Sequence, residues 1–306
     1  MRAVYCETLM RLAEKDSRIF VMDADLMKAS GTMPFKAAHP DRTIDAGVAE
    51  ANMVGVAAGL SAAGKIPFAT TFACFASRRA FDQFFISANY AQLNVKLTGT
   101  DPGITAAFNG GTHMPFEDIG LMRMVPGLSI MEPSDPVSLE KLLELCTSHK
   151  GCTYMRLQRK AAPALYKAEE SFSLGKGKLL KDGKDLTIIA LGVIMVGEAL
   201  IAAQKLQDQG ISAAVIDILS VKPLDRDIIL SYASKTGHVI TAENHQVSGG
   251  LGGAVAELLA LEKPVPMAMV GIHDEFGEVG TQEWLQEHFR LSAAEIEKKA
   301  KELVKK

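Results

Sequence analysis

The chain has 306 residues, with 33 Lys and Arg against 36 Asp and Glu, a net charge of −3, which excludes a general nucleic-acid binder because phosphate contacts need a basic field. A hydrophobic share of 48% and a charged share of 23% supply a packed core and exclude a disordered chain. No run free of charged residues reaches the ~18 that a membrane-spanning helix requires, so no membrane partner is expected. The first residues, MRAVYCETLMRLAEKD, lack a long apolar stretch and a small-residue cleavage site, so no secretory signal is read and a cytoplasmic protein is expected.

Short β-branched runs alternate with longer segments of helical spacing, the pattern of an α/β chain with mostly parallel sheets covered by helices. In chain order the first half reads helix Val4–Lys15, strand Arg18–Ala24, helix Glu50–Ala63, strand Ile66–Thr71, helix Arg78–Leu93, strand Val95–Gly99, strand Leu128–Glu132, helix Pro136–Ser148 and strand Thr153–Leu157. Pro136 suits a first helical turn, with Ser134 or Asp135 as its cap. The stretch from Arg159 to Lys184 is polar and rich in Lys and Gly and interrupts the alternation. The alternation resumes with strand Asp185–Leu191, helix Gly197–Gln209, strand Ala213–Leu219, helix Arg226–Ser234, strand His238–Glu243, helix Gly253–Leu261, strand Pro266–Ile272 and a helical tail from Thr281. Two doubly wound, mostly parallel open sheets are expected: a first domain over residues 1–165, a linker over 166–184 and a second domain over 185–306.

Cys6, Cys74, Cys146 and Cys152 form no CxxC pair and no metal-ligand spacing with the seven histidines; they read as reduced core residues. No metal site is expected in this chain. Gly249-Gly250-Leu251-Gly252-Gly253 follows a strand and opens a helix, where backbone N–H groups can hold an anion. It fits neither GxGxxG nor the P-loop pattern, so a tight strand-to-helix turn is the better reading.

The segment from Asp45 to Asn52 has more chemical content. Gly47 permits backbone angles closed to other residues, and Glu50 then opens a helix of small apolar residues. A carboxylate there is by default a dipole cap. Downstream, Phe72 and Phe75 lie in a loop after a strand, and His113 lies in the Gly-flanked loop NGGTHMPFED. Each alone is unremarkable, but together they fall at successive strand ends, where open α/β sheets bind ligands.

The runs ADL at Ala24–Leu26, PDRTIDAGVAEANMVGVAAGL, PFATTFACFASRRAFDQ, GGTHMPFEDIGLMRMVPG, VKPLD and ENHQVSGGLGGAVAE resemble, in collinear order across nearly the whole chain, the C-terminal half of transketolases. That half comprises a pyrimidine-binding domain and a C-terminal domain. The resemblance implies thiamine diphosphate as cofactor and transfer of a two-carbon ketol unit from a ketose to an aldose. Complete family members carry a further diphosphate-binding domain with a Gly-Asp-Gly motif, which occurs nowhere here. The resemblance thus implies the smaller subunit of a split enzyme, a separate partner chain that holds the cofactor's diphosphate with Mg2+ or Ca2+, and an α2β2 assembly.

Residue by residue, the resemblance assigns Glu50 to the carboxyl group at N1′ of the aminopyrimidine, Phe75 to the stacking aromatic, and Phe72 to the same pocket. His113 matches a histidine near the reacting carbons, Arg159 an arginine that binds the sugar's phosphate, and Arg2 a second such arginine. Four positions depart from the family. Asp101 stands in place of a substrate-contacting His, Asn109 in place of a hydroxyl-reading Asp, Ala51 in place of Gln or His, and Arg78 in place of an aromatic near the cofactor. An acid at Asp101 opposes a phosphate and opens the choice to a differently substituted ketose. The same architecture serves deoxyxylulose-phosphate synthases, whose RAxDQ run is matched by Arg79 to Gln83, and the β subunits of 2-oxo acid dehydrogenases. From another class, a non-catalytic partner subunit has also to be weighed.

Overall fold

The computed structural model describes residues 1–305. Twelve strands are present among them: β1 (Ile19–Asp23), β2 (Thr43–Asp45), β3 (Ile66–Phe72), β4 (Lys96–Thr100), β5 (Ser129–Met131), β6 (Thr153–Leu157), β7 (Lys178–Lys181), β8 (Leu186–Ala190), β9 (Ala213–Asp217), β10 (Ser220–Lys222), β11 (Val239–Gln246) and β12 (Met267–Ile272). They form a seven-stranded sheet in the order β10-β5-β6-β4-β3-β1-β2 and a five-stranded sheet in the order β12-β11-β8-β9-β7. Every pairing is parallel except β10 with β5 and β7 with β9. The α/β reading with two mostly parallel sheets therefore holds.

The central strands are buried on both faces, as parallel sheets under helices require; β4, β8 and β9 have no exposed residue. The helix Pro136–Ser148 starts where the sequence places it. Asp135 is its cap, accepting from Ser138 N at 2.6 Å, and the Ser138 hydroxyl accepts from Asp135 N at 3.0 Å in return, a reciprocal capping box. All four cysteines are free and buried. The tail helix Ala293–Val304 buries Ala293, Ile296, Ala300 and Leu303 on one face, so its lysines lie on the solvated side of an amphipathic helix.

Three strands were not legible locally. β2 has only three residues at a sheet edge. β7 lies inside the expected linker 166–184 and pairs antiparallel with β9, so that linker is partly built into the second sheet. β10 belongs in sequence to the second domain but pairs with β5 of the first. The expected helix over Arg78–Leu93 is also different: it begins near Phe75 and winds through two π-helical turns, Phe75–Arg79 and Phe84–Tyr90, around a short α-turn. Among the described residues there are three hydrophobic cores, and one that spans both domains runs from Met22 and Leu97 through Ile119 and Val125 to Ile189, Ile216 and Val239.

Candidate functional site

The site lies beyond the C-terminal ends of β3, β4 and β6, whose last residues are Phe72, Thr100 and Leu157. Gly47 does adopt a positive φ, 69°, and its N–H donates to the Asp45 carboxylate at 3.1 Å. That turn delivers Glu50 to the first position of the helix Glu50–Ala62. The Glu50 side chain is 1% exposed, and both its oxygens accept from Arg79 Nη1, at 3.1 and 3.0 Å. The helix it opens is rich in Ala and Gly.

Phe75 opens the π-helical turn after β3, and π-turns recur at functional sites. Its ring lies 6.0 Å from Phe72 and 5.2 Å from the edge-on ring of His113, which also meets Phe72 at 6.0 Å. The Arg79 guanidinium stands 4.1 Å from the Phe75 centroid and that of Arg159 stands 5.1 Å from the Phe72 centroid. Arg159 also forms an ion pair with the buried Asp101. Burial pushes the Asp101 carboxyl up from its ordinary pKa, and the neighbouring Arg159 opposes that shift. Among the described residues the buried Arg159 Nε–H has no acceptor. Phe72, Phe75, His113, Asp101 and Arg159 thus form one cluster, and Arg79 ties Glu50 to it by bonding the carboxylate and stacking on Phe75.

The loop from Asp101 to His113 is strained: Asp101 and Ala107 hold φ of 53° and 47°, the kind of conformation that persists where the surroundings enforce it. The second domain does the enforcing. Asn244 accepts from Ile104 N at 3.0 Å and donates to Pro102 O at 3.0 Å, and a Cβ on Gly111 would lie 2.2 Å from Gly277 O. Asn109 is exposed on this loop.

Two expected contacts are placed otherwise. Arg78 turns from the pocket to the loop: Nη2 donates to Thr112 O at 2.8 Å, and Nε lies 3.3 Å from Glu117, so it latches the segment that carries His113. The exposed Arg2 donates through Nη1 to Ala29 O at 3.2 Å, while its backbone N–H reaches Arg159 O at 3.2 Å. It neighbours Arg159 through the main chain.

The sequence reading missed Arg79, Glu117 and Asn244. Arg79 lies in the RAxDQ run and Asn244 in ENHQ, motifs that by themselves assign no contact. The Gly-rich turn is a tight turn, and its anion position is taken from within: the Glu243 carboxylate accepts from Leu251 N and Gly252 N at 2.6 and 2.7 Å.

Under the site lies a buried ionic network that joins the domains. Arg156, fully buried, donates to Asp118 at 2.8 Å, Glu132 at 2.5 Å and Asn244 O at 2.9 Å, and Tyr154 donates to Asp118 at 2.8 Å. A Cβ on Gly192, at φ 76°, would lie 2.2 Å from Glu132, so the first domain's carboxylate packs closely against the turn that follows β8 in the second.

The residue types present are those that the pyrimidine end of thiamine diphosphate would require: a buried acid, Glu50, joined through Arg79 to the half-buried ring of Phe75. No group of three or more His, Cys, Asp or Glu is clustered to hold a metal ion among the described residues, and no helix is long and apolar enough to cross a membrane.

Comparison with known proteins agrees with this geometry. Residues 1–164 match the family described as "Transketolase, pyrimidine binding domain" and residues 175–296 match "Transketolase, C-terminal domain". The chain is 50% identical over 306 residues, 100% of its length and 95% of the relative's, to the 6-deoxy-6-sulfo-D-fructose transketolase subunit SqwH of Clostridium sp. (strain MSTE9). It is 37% identical to an apulose-4-phosphate transketolase subunit of Phocaeicola vulgatus, covering 100% of this chain and 97% of that one. A solved structure titled "Split gene transketolase, inactive beta4 tetramer" superposes with a TM-score of 0.91 at 41% identity, covering 99% of this chain and 97% of the other. The chain belongs to the transketolase family, and its extent is that of a C-terminal subunit of the split type.

Proposed function

We propose that this chain is the substrate-facing subunit of a two-chain, thiamine-diphosphate-dependent transketolase, moving a two-carbon ketol unit from a ketose with an anionic terminus to an aldose. The observation that carries the reading is the buried Glu50 carboxylate tied through Arg79 to the Phe75 ring, with His113 and the Arg159–Asp101 pair continuing the cluster. Bound thiamine diphosphate supplies the nucleophilic carbon on which the unit is transferred; the protein supplies orientation and electrostatics. Glu50 would hold the ring nitrogen N1′ by a shared proton, and its near-complete burial would keep water from competing for that bond. Phe75 and Phe72 offer flat apolar faces to the ring. His113, packed edge-on against both, is placed to exchange protons with substrate hydroxyls.

Arg159 is the anion reader. Its buried Nε–H has no acceptor among the described residues, and a guanidinium fork suits a planar array of acceptor oxygens. Because Asp101 neutralises part of that charge, the subsite favours a monoanion over a dianion, in keeping with a sulfonated ketose of the kind named for the Clostridium relative. We assign the diphosphate and its Mg2+ to a separate chain with the Gly-Asp-Gly motif that this sequence lacks. An α2β2 assembly in the cytoplasm completes the proposal. The similarity to a split-gene transketolase described as an inactive β4 tetramer supports dependence on that partner.

The test is reconstitution: this chain, a diphosphate-domain chain, thiamine diphosphate and Mg2+ are mixed with an aldose acceptor and offered, in separate reactions, a sulfonated ketose, a phosphorylated ketose and pyruvate. Aldose release from a ketose is expected. Pyruvate decarboxylation without ketose cleavage would favour the synthase or dehydrogenase reading, and no cofactor binding at any concentration would favour a non-catalytic subunit.

A further inference from the structure

Arg79 joins the two side chains that the proposed cofactor site depends on. Its Nη1 bridges both oxygens of Glu50 at 3.1 and 3.0 Å, and its guanidinium lies 4.1 Å from the Phe75 ring centroid. Glu50 begins a helix after β2, whereas Phe75 and Arg79 share the π-helical turn after β3, so Arg79 couples two independent elements. Among the described residues it is the one charged partner of a carboxylate that is 1% exposed.

The geometry decides what such a contact does. One nitrogen placed between both oxygens uses the inner edge of the carboxylate and leaves an outer lone pair on each oxygen free to accept another N–H. The carboxylate is thus fixed in direction without being saturated. A guanidinium is flat and stays charged, so it stacks on an aromatic face and keeps its counter-charge at any working pH. Lysine offers the charge without the plane.

We infer that Arg79 is a positioning residue: it holds the Glu50 carboxylate and the Phe75 ring in one fixed relation, so that acid and stacking face meet the aminopyrimidine together. This rests on the reading of the pocket as a thiamine diphosphate site. Arg79 acts through Glu50 and contacts neither substrate nor reacting carbon.

The experiment is a double-mutant cycle on the assembled two-chain complex with Mg2+, reading thiamine diphosphate affinity by calorimetry and steady-state kinetics beside it. Arg79→Gln is expected to weaken cofactor binding and lower kcat, each by roughly 10- to 100-fold, the usual range for residues that orient a liganding group, with ketose KM within about twofold. In a Glu50→Gln background, adding Arg79→Gln is expected to cost little further cofactor affinity, because neighbours that act through one another are not additive. Arg79→Lys is expected to recover part of the loss, and the thermal transition of each variant complex reports that it is folded.

Equal losses in both backgrounds, or a raised ketose KM with unchanged cofactor affinity, would overturn the inference by making Arg79 an independent ligand or a substrate contact. Tighter cofactor binding in Arg79→Gln would overturn it by making the guanidinium a competitor for the Phe75 face. Absence of thiamine diphosphate binding in the unsubstituted complex is a different result, since it overturns the reading of the pocket itself.

Discussion

The Asn244 side-chain amide, on the second domain, closes on Ile104 of the first: Oδ1 accepts from Ile104 N at 3.0 Å while Nδ2 donates to Pro102 O at 3.0 Å. Pro102 directly follows Asp101, so the second domain sets the backbone of the loop that carries Asp101 and His113. Asn244→Ala leaves a buried donor and a buried acceptor without partners, at about 2–6 kcal/mol for the two. We expect lower stability in urea denaturation and a ketose KM raised several-fold, with thiamine diphosphate affinity unchanged.

Arg156 is the hub of the inter-domain network, facing Asp118 and Glu132 at full burial. Arg156→Met strands two buried carboxylates and is expected to cost about 3–5 kcal/mol, because breaking a buried pair is worse than lacking it. The triple variant Arg156→Met, Asp118→Asn, Glu132→Gln is expected to regain much of that loss. Chemical denaturation of both variants checks the sign.

His245 is buried, with Nε2 accepting from Gly120 N at 3.3 Å and Nδ1 2.7 Å from Gln246 O. Asp118 and Glu243 each lie 3.8 Å from a ring nitrogen, but burial dominates and lowers the His245 pKa to about 4. A depressed folded pKa gives stability that is complete above the unfolded value and lost as pH falls from 6.5 towards 4. Burial raises Asp23 to about 6 and Asp217 to about 7, with the opposite sign: their contribution is lost as pH rises through those values. Comparing wild type with His245→Gln isolates the histidine, and the variant is expected to lose less Tm between pH 6.5 and 4.

Asp101 sets the charge beside Arg159. Asp101→Asn removes the carboxylate and frees the guanidinium for a dianion. The ratio of kcat/KM for phosphorylated over sulfonated ketose is expected to rise about tenfold, or 1.4 kcal/mol. Competition between the two ketoses in one reaction measures it directly.

Much of this was legible in the chain. β6 and the helix Pro136–Ser148 appear with the bounds read from the sequence, because Pro, a capping residue and apolar periodicity are local signals. Glu50, Phe75 and His113 stand out in the sequence because each sits in a run that carries the family resemblance. What escaped was non-local. β10 pairs with β5 across 90 residues of chain, as the Ser220 to Ile130 hydrogen bond shows, and no local pattern encodes a partner in another domain. Arg78 and Arg79 are adjacent and chemically alike, and only the π-helical winding from Phe75 decides that Arg79 meets Glu50 while Arg78 meets the His113 loop.

The measurement that bears most directly on the central claim is ketol transfer by the reconstituted pair with Glu50→Gln beside wild type. The account predicts aldose release only when both chains, thiamine diphosphate and Mg2+ are present, and a loss of roughly 10²–10⁴-fold in the variant, the usual scale for a lost acid–base group. Turnover by this chain alone, or undiminished turnover in Glu50→Gln, would contradict it.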